Sequence, residues 1–299
     1  MEKSTMQIQA LKRSSYWSRR VTLGSVLIFL ALLLIFLITF YPFFYVLSLA
    51  VMPYDKFVSM AVHAWPNGFT LLYFQQILKD PNLPHGYLIS IARTISGTIL
   101  NVVATCLAGY ALSRKSLKYR SALTFLFLIP MYFSAGIIPY YLAIRATGLT
   151  NTFWVLILPG LVAPMWLFIS RASFSQYPEE IIEAATIDGA GQFRIFWSII
   201  WPTSYPLIAT LAVMYGTGHW NEYFFSRILV GQNLWPATVQ LYNLINTRTI
   251  LQGLGVGIRL EPQSYLAAMA SMLILPILVV YPLLQRYVIV GMTAGALKE

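Results

Sequence analysis

Residues able to do chemistry are few, and they cluster. Four of the ten carboxylates in this 299-residue chain, Glu179, Glu180, Glu183 and Asp188, fall within the stretch EEIIEAATID. The histidines, His63, His85 and His219, are scattered. None has the spacing of a metal site, such as two histidines one helical turn apart with a neighbouring Glu. No glycine-rich loop ends in Lys and Ser or Thr, so the sequence offers no phosphate cradle and hydrolysis of ATP by this chain is not expected. Cys106 is the one cysteine. It has no partner for an intramolecular disulfide and reads as a small packing residue inside an apolar run.

The acids make sense as the end of a helix. Pro178 suits the first helical position, where its missing N–H costs nothing, and Glu179 and Glu180 complement the positive helix end. Gly189 suits the left-handed residue that closes a helix, which predicts a short helix from Pro178 to Asp188. Ile181, Ile182 and Ala185 form an apolar stripe with Pro178, while Glu179 and Glu183, four apart, project from another side. Helices that lie on lipid headgroups carry Lys and Arg on the polar face. This one carries none, which favours docking on a protein.

The elements that position this helix are apolar spans. The chain is 58% hydrophobic and 10% charged, with a mean hydropathy of +0.67, against roughly 25% charged residues in an ordinary soluble domain. Uncharged runs extend from Val21 to Tyr54, Thr94 to Ser113, Ser121 to Ile144, Ala146 to Ser170, Ile195 to Asn221 and Pro262 to Gln285. Each reaches the ~20 residues that a helix needs to cross about 30 Å of hydrocarbon. The expected fold is an all-α membrane protein with six transmembrane helices and the short helix in the loop between the fourth and fifth. Arg93 is expected at the outer end of the second span, from which it can snorkel.

Thirteen of the twenty Lys and Arg residues fall on the side that holds both termini and the short helix: Lys3, Lys12, Arg13, Arg19, Arg20, Arg114, Lys115, Lys118, Arg120, Arg171, Arg194, Arg286 and Lys298. By the positive-inside rule that side is cytoplasmic. The net charge of +10 is thereby a topology signal, and no basic stripe interleaved with stacking aromatics points to nucleic acid. The first apolar run is too long for a secretory signal core and lacks a convincing small-residue cleavage site, so an uncleaved span is expected. Residues 1–20 are then a cytoplasmic segment, 21–290 the transmembrane domain and 291–299 a cytoplasmic tail.

The run EAATIDGAGQFRIFWSIIWP, from Glu183 to Pro202, resembles the EAA motif in permease subunits of bacterial ABC importers. Glu183, Ala184, Ala185, Asp188, Gly189, Ala190, Phe196, Ile199 and Pro202 stand at the expected separations. Trp201 replaces the leucine usual before that proline. YPFFYVLSLA, LAGYALSRKSLKYR, GLTNTFWVLILPGL, HWNEYFF and QRYVIVGMTAGALKE extend the resemblance, over almost the whole chain, to the maltose-type carbohydrate permeases, nearest the complex-oligosaccharide subgroup. The resemblance implies a bacterial inner-membrane heterodimer with a related permease, two ATPase subunits below and an extracytoplasmic solute-binding protein above. It further implies that the short helix enters a cleft on an ATPase, with Glu183 and Gly189 central, and that the tail Gly291 to Lys298 also reaches the ATPases. ATP and Mg would sit on those partners, with no cofactor on this chain.

Sugars are held by aromatic faces and hydrogen-bonding side chains. MYGTGHWNEYFF offers Tyr215, Trp220, Asn221, Glu222 and Tyr223 near the outer end of the fifth span, as substrate contacts or equally as an interfacial aromatic belt. The segment from Ser226 to Gln263 is too long for a minimal connector, and the resemblance implies that part of it reaches towards the binding protein, with a passive surface loop as the alternative. Arg93, Arg145, Arg227, Arg248 and Arg259 pose the hypothesis of an acidic cargo, with ordinary loop solvation favoured over it. An ion-coupled secondary carrier is the alternative from another class. Such carriers place carboxylates in their helices, and only Glu222 is a candidate here.

Overall fold

The fold comes from a computed structural model that describes residues 23–53, 55–56, 66–253 and 263–296. All its elements are helical, with no strand among the described residues. In chain order they are α1 (Leu23–Ala50), α2 (Leu72–Lys79), α3 (Asn82–Ser113), α4 (Arg120–Tyr132), α5 (Ile137–Ala146), α6 (Pro164–Phe174) and α7 (Glu179–Ile187). There follow α8 (Gln192–Thr203), which contains a π turn at Phe196–Ile200, then α9 (Tyr205–Asn221), α10 (Phe224–Leu229), α11 (Ala237–Gly253) and α12 (Gln263–Ala296). His63, Arg259, the N-terminal segment and most of the glycine-rich outer stretch lie outside the described residues.

Helix α3 is the axis of the molecule and packs most extensively against α9 and α6. The face it buries carries a row of mostly small and polar residues: Gly86, Ser90, Arg93, Gly97, Asn101, Thr105, Gly109 and Ser113 recur every three or four residues. Small residues let helix backbones approach closely, which matters where lipid removes the hydrophobic incentive for helices to pair. At Gly109 a Cβ atom would lie 2.7 Å from Cβ of Ser170 on α6, so these two backbones meet at a distance that only glycine allows. At Gly97 the space is taken by the imidazole of His219 from α9.

Helix α1 is apolar on every side and most of its Leu, Ile and Phe side chains are exposed. A helix without a polar face is at home in hydrocarbon. Only its last turns, with Leu49 and Ala50, join a core with Tyr73, Ile77 and Leu83 and with Ala268 and Met269 of α12.

Among the described residues, three helices are long and apolar enough to cross a membrane: α1, α3 and the Gln263–Val280 part of α12. Two further segments pass as bent pairs, Phe153–Gly160 with α6 at 52° and α8 with α9 at 83°. The expected third span, 121–144, is divided into α4 and α5. Pro130 stands near the end of α4, and the break at Phe133–Gly136 ends on Gly136 with φ of +85°. Helix α3 also differs from expectation, because it begins at Asn82, before the uncharged run. Arg93 therefore lies about 16 Å along the helix rather than at its tip.

Candidate functional site

Two regions hold the residues singled out by sequence, one at the C-terminal end of α3 and the other around Arg93 in its N-terminal half. The first is built around α7. Pro178 is its N-cap, one position before the helix proper, with ψ of 131°. At the other end Gly189 takes φ of +79°. The Gly189 N–H donates to Thr186 O at 3.0 Å and the Ala190 N–H to Ala185 O at 2.9 Å, the paired bonds of a left-handed helix stop. Glu179 and Glu180 occupy the first turn, where the helix dipole favours them.

The seat of α7 is aromatic. Ile182 is its single buried residue, and with Ala185 and Ala190 it packs into a cluster of Tyr110, Phe174, Ile195 and Phe196. Phe174 meets Tyr110 edge-on at 6.1 Å and Phe196 at 6.4 Å, and the Tyr110 hydroxyl donates to Gln192 Oε1 at 3.0 Å. The guanidinium of Arg114 lies over the Tyr110 ring and donates to Phe174 O at 2.8 Å. These contacts fix α7 to the ends of α3, α6 and α8. The apolar stripe is narrower than expected, since Ile181 and Pro178 face outward with Glu180, Glu183, Ala184, Asp188 and Ile187. Successive residues turn about 100° around a helix, so Ile181 and Ile182 cannot both enter one seat.

The acids also separate. Glu179 pairs with Lys115 of the α3–α4 loop at 3.0 Å. Glu180, Glu183 and Asp188 make no ion pair among the described residues. Beneath Glu179 and Glu183 lies a cavity of about 330 Å³ bordered by Arg114, Lys115 and Arg120.

The second region surrounds Arg93, a residue whose role charge counting missed. It is buried, and its Nη2 meets Glu222 Oε2 at 3.1 Å. Nε–H donates to Leu156 O at 3.1 Å, while Nη1 donates to Ser226 Oγ at 2.8 Å and to Glu222 O at 3.3 Å. One side chain so joins α3, the turn after Thr152, the end of α9 and the start of α10. Glu222 in turn caps α10, accepting from the Phe225 N–H at 2.5 Å, the Ser226 N–H at 3.2 Å and the Ser226 hydroxyl at 2.6 Å.

Of the five aromatic and polar residues expected along a path, Tyr215 and Glu222 border one cavity of about 360 Å³, together with Arg93, Asn101, Trp166 and His219. The Tyr215 hydroxyl exchanges a 2.7 Å hydrogen bond with Thr105 and accepts from the Ala163 N–H at 3.1 Å. Trp220 and Asn221 border a different cavity, of about 560 Å³, against α12. Trp220 is committed there, donating from Nε1 to Leu273 O at 2.9 Å. Tyr223 lies apart, its ring 4.7 Å from that of Tyr242. The five do not share one site, because consecutive residues at the end of α9 point in different directions.

The outer arginines are equally dispersed. Arg93 is paired, Arg227 lies over the Tyr242 ring, and Arg145 ends α5.

Comparison with known proteins places this architecture. The family model described as "binding-protein-dependent transport system inner membrane component" matches residues 13–293. The chain is 32% identical over 265 residues to Protein LplC of Bacillus subtilis (strain 168), covering 87% of this chain and 90% of that protein. It is 31% identical over 281 residues to the polygalacturonan/rhamnogalacturonan transport system permease protein YtcP of the same organism, covering 92% and 98%. Among solved structures it resembles the fold of a chain in a bacterial ABC transporter involved in the import of the acidic polysaccharide alginate, with a TM-score of 0.80 and 23% identity over 91% of this chain and 100% of that one. The match to the family model spans both the seated helix α7 and the Arg93 junction, and this chain belongs to the family of inner membrane components of binding-protein-dependent transport systems.

Proposed function

We propose that this chain is the permease subunit of an ATP-driven importer that carries an oligosaccharide into the cytoplasm, driven through α7 by separate ATPase subunits. The observation that carries the proposal is the mounting of α7. Its outward side presents Glu180, Glu183, Ala184 and Asp188, while Ile182 and Ala185 root it in the core shared by α3, α6 and α8. A displacement of a helix held this way is passed to the spans, since packed interiors shift as units. Unpaired acids at the rim set register and orientation more than affinity.

The partners follow from this reading: a related permease completing a heterodimer, two ABC ATPase subunits holding ATP and Mg, and an extracytoplasmic solute-binding protein delivering carbohydrate. A relative named for polygalacturonan/rhamnogalacturonan transport supports a carbohydrate cargo. Both termini lie in the cytoplasm by the charge argument. An ion-coupled carrier is less well supported, because Glu222, its one candidate carboxylate, is already paired with Arg93 and caps α10.

The test is uptake by the purified complex in vesicles. Uptake should require internal ATP, or ATP on the side of the ATPases, and persist without an ion gradient. Glu183→Lys, and Gly189 replaced by Val, should leave the complex inserted while abolishing sugar-stimulated hydrolysis. Normal stimulated hydrolysis in both variants would remove α7 from the coupling role.

A further inference from the structure

The cavity of about 360 Å³ between α3, α6, α9 and α10 has a charge balance that sequence did not reveal. Among the described residues, Arg93 and Glu222 are the only Lys, Arg, Asp or Glu side chains along its wall, and they are bonded to each other at 3.1 Å. Four of the five N–H donors of Arg93 are committed, to Leu156 O, Glu222 O, Ser226 Oγ and the Glu222 carboxylate. The Glu222 side chain retains 23% exposure against 6% for Arg93, so the anion of the pair is the more accessible partner. The aromatic residues Tyr140, Trp166 and Phe225 and the imidazole of His219 also border the cavity, Tyr140 and Phe225 meeting at 5.0 Å between ring centres.

A carboxylate entering such a space would leave water without finding a free cation, and it would lie beside the carboxylate of Glu222. Burial of an unpaired ion is costly, and like charges at close range add to the cost. A neutral, hydroxyl-bearing ring meets no such barrier. Its apolar face can lie against the aromatic rings, and a hydroxyl can donate to Glu222 Oε1, which accepts from the Phe225 N–H alone, whereas Oε2 already has three donors.

Resting on the transport reading above, we infer that this cavity is a cargo compartment selective for uncharged sugar rings, and that Glu222 is the residue that excludes uronates by neutralising Arg93.

The experiment uses the assembled, reconstituted complex and two cargoes that differ in charge: tetragalacturonate and its fully methyl-esterified form. The wild-type complex should take up the ester with the higher kcat/KM. Glu222→Gln keeps one side-chain oxygen for the α10 cap while leaving Arg93 uncompensated, and it should shift the acid-to-ester ratio of kcat/KM by about tenfold or more towards the acid, the low end for a close charge pair. Because the ratio is taken within one preparation, a lower yield of folded variant cancels. Arg93→Gln combined with Glu222→Gln restores neutrality and should restore the preference for the ester. Wild-type preference for the acid, or a ratio unmoved by Glu222→Gln, overturns the inference. If the variants do not assemble, the wild-type comparison alone decides it. Uptake of neither cargo also overturns it, and only a complex that moves no oligosaccharide of any kind overturns the transport reading as well.

Discussion

At the scale of single residues, Arg93 and Glu222 decide more than any other pair. They are 129 residues apart in sequence, and Arg93 reaches carbonyl, hydroxyl and carboxylate acceptors on three other segments. Glu222→Ala removes the carboxylate and the α10 cap together and leaves a guanidinium buried without its counter-ion. The expected loss is about 3–5 kcal/mol, the range for breaking a buried pair from one side. It should appear as a large drop in the thermal midpoint of the detergent-purified protein. Replacing both residues by methionine should recover much of that loss, since a well-packed apolar pair is often no worse than a buried ion pair. Neither the burial of Arg93 nor its partner was legible in the sequence. A span bounded by its first charge ends at Arg93, which puts this residue at the tip, and the neutralising carboxylate stands on another segment 129 residues away. By contrast, Gly189 was legible, because a glycine after an acidic, alanine-rich turn predicts a left-handed stop and φ of +79° is what stands there.

At the scale of elements, hydropathy found where apolar chain lies, but where it breaks and which way it turns came only from the structure. The segment Ile195–Asn221 is one uncharged run, yet Pro202 and Pro206 flank an 83° bend between α8 and α9. Trp201 keeps helical angles before Pro202, and the chain turns at Ser204, with φ of −96° and ψ of 18°, while Pro206 stands in the first turn of α9, where its missing N–H costs nothing. That bend gives Trp201 its place. Its ring lies 4.9 Å from Trp197 and 5.8 Å from Phe196, so the tryptophan that departs from the family's usual leucine extends an aromatic cluster beside α7. Trp201→Leu should cost about 1–2 kcal/mol from two lost ring contacts, a shift measurable by thermal unfolding. The contact of α3 with α6 is less forgiving. Gly109→Val would force atoms into the Ser170 backbone, where a Cβ alone comes within 3.2 Å of main-chain atoms. Overpacking of this kind costs about 1–3 kcal/mol, and because the α7 seat sits at the same end, the variant should also lose sugar-stimulated hydrolysis more steeply than it loses yield.

For the whole molecule, the unequal ends of α3 make a topology prediction that one reagent can settle. At the end carrying α7, Arg114, Lys115, Lys118, Arg120, Arg171 and Arg194 gather around the loops. The opposite end, where His85 approaches the Asn233 carbonyl and Asn151 accepts from the Gly231 N–H, holds fewer cations in longer connections. Cations in short loops resist transfer across the membrane, so the basic end should remain in the cytoplasm. The single Cys106 is fully buried, which keeps the native thiol away from a water-soluble maleimide and makes introduced cysteines the readable signal. Ser116→Cys and Gly191→Cys mark the exposed basic end, and Ala146→Cys and Gln232→Cys mark exposed positions at the other. In intact cells with a permeable outer layer, an impermeant maleimide should label positions 146 and 232 and spare 116 and 191, with the pattern reversed in inverted vesicles. Labelling of 116 and 191 from outside would turn α7 away from the compartment that holds ATP, and a helix on that side could not be driven by a nucleotide-binding partner.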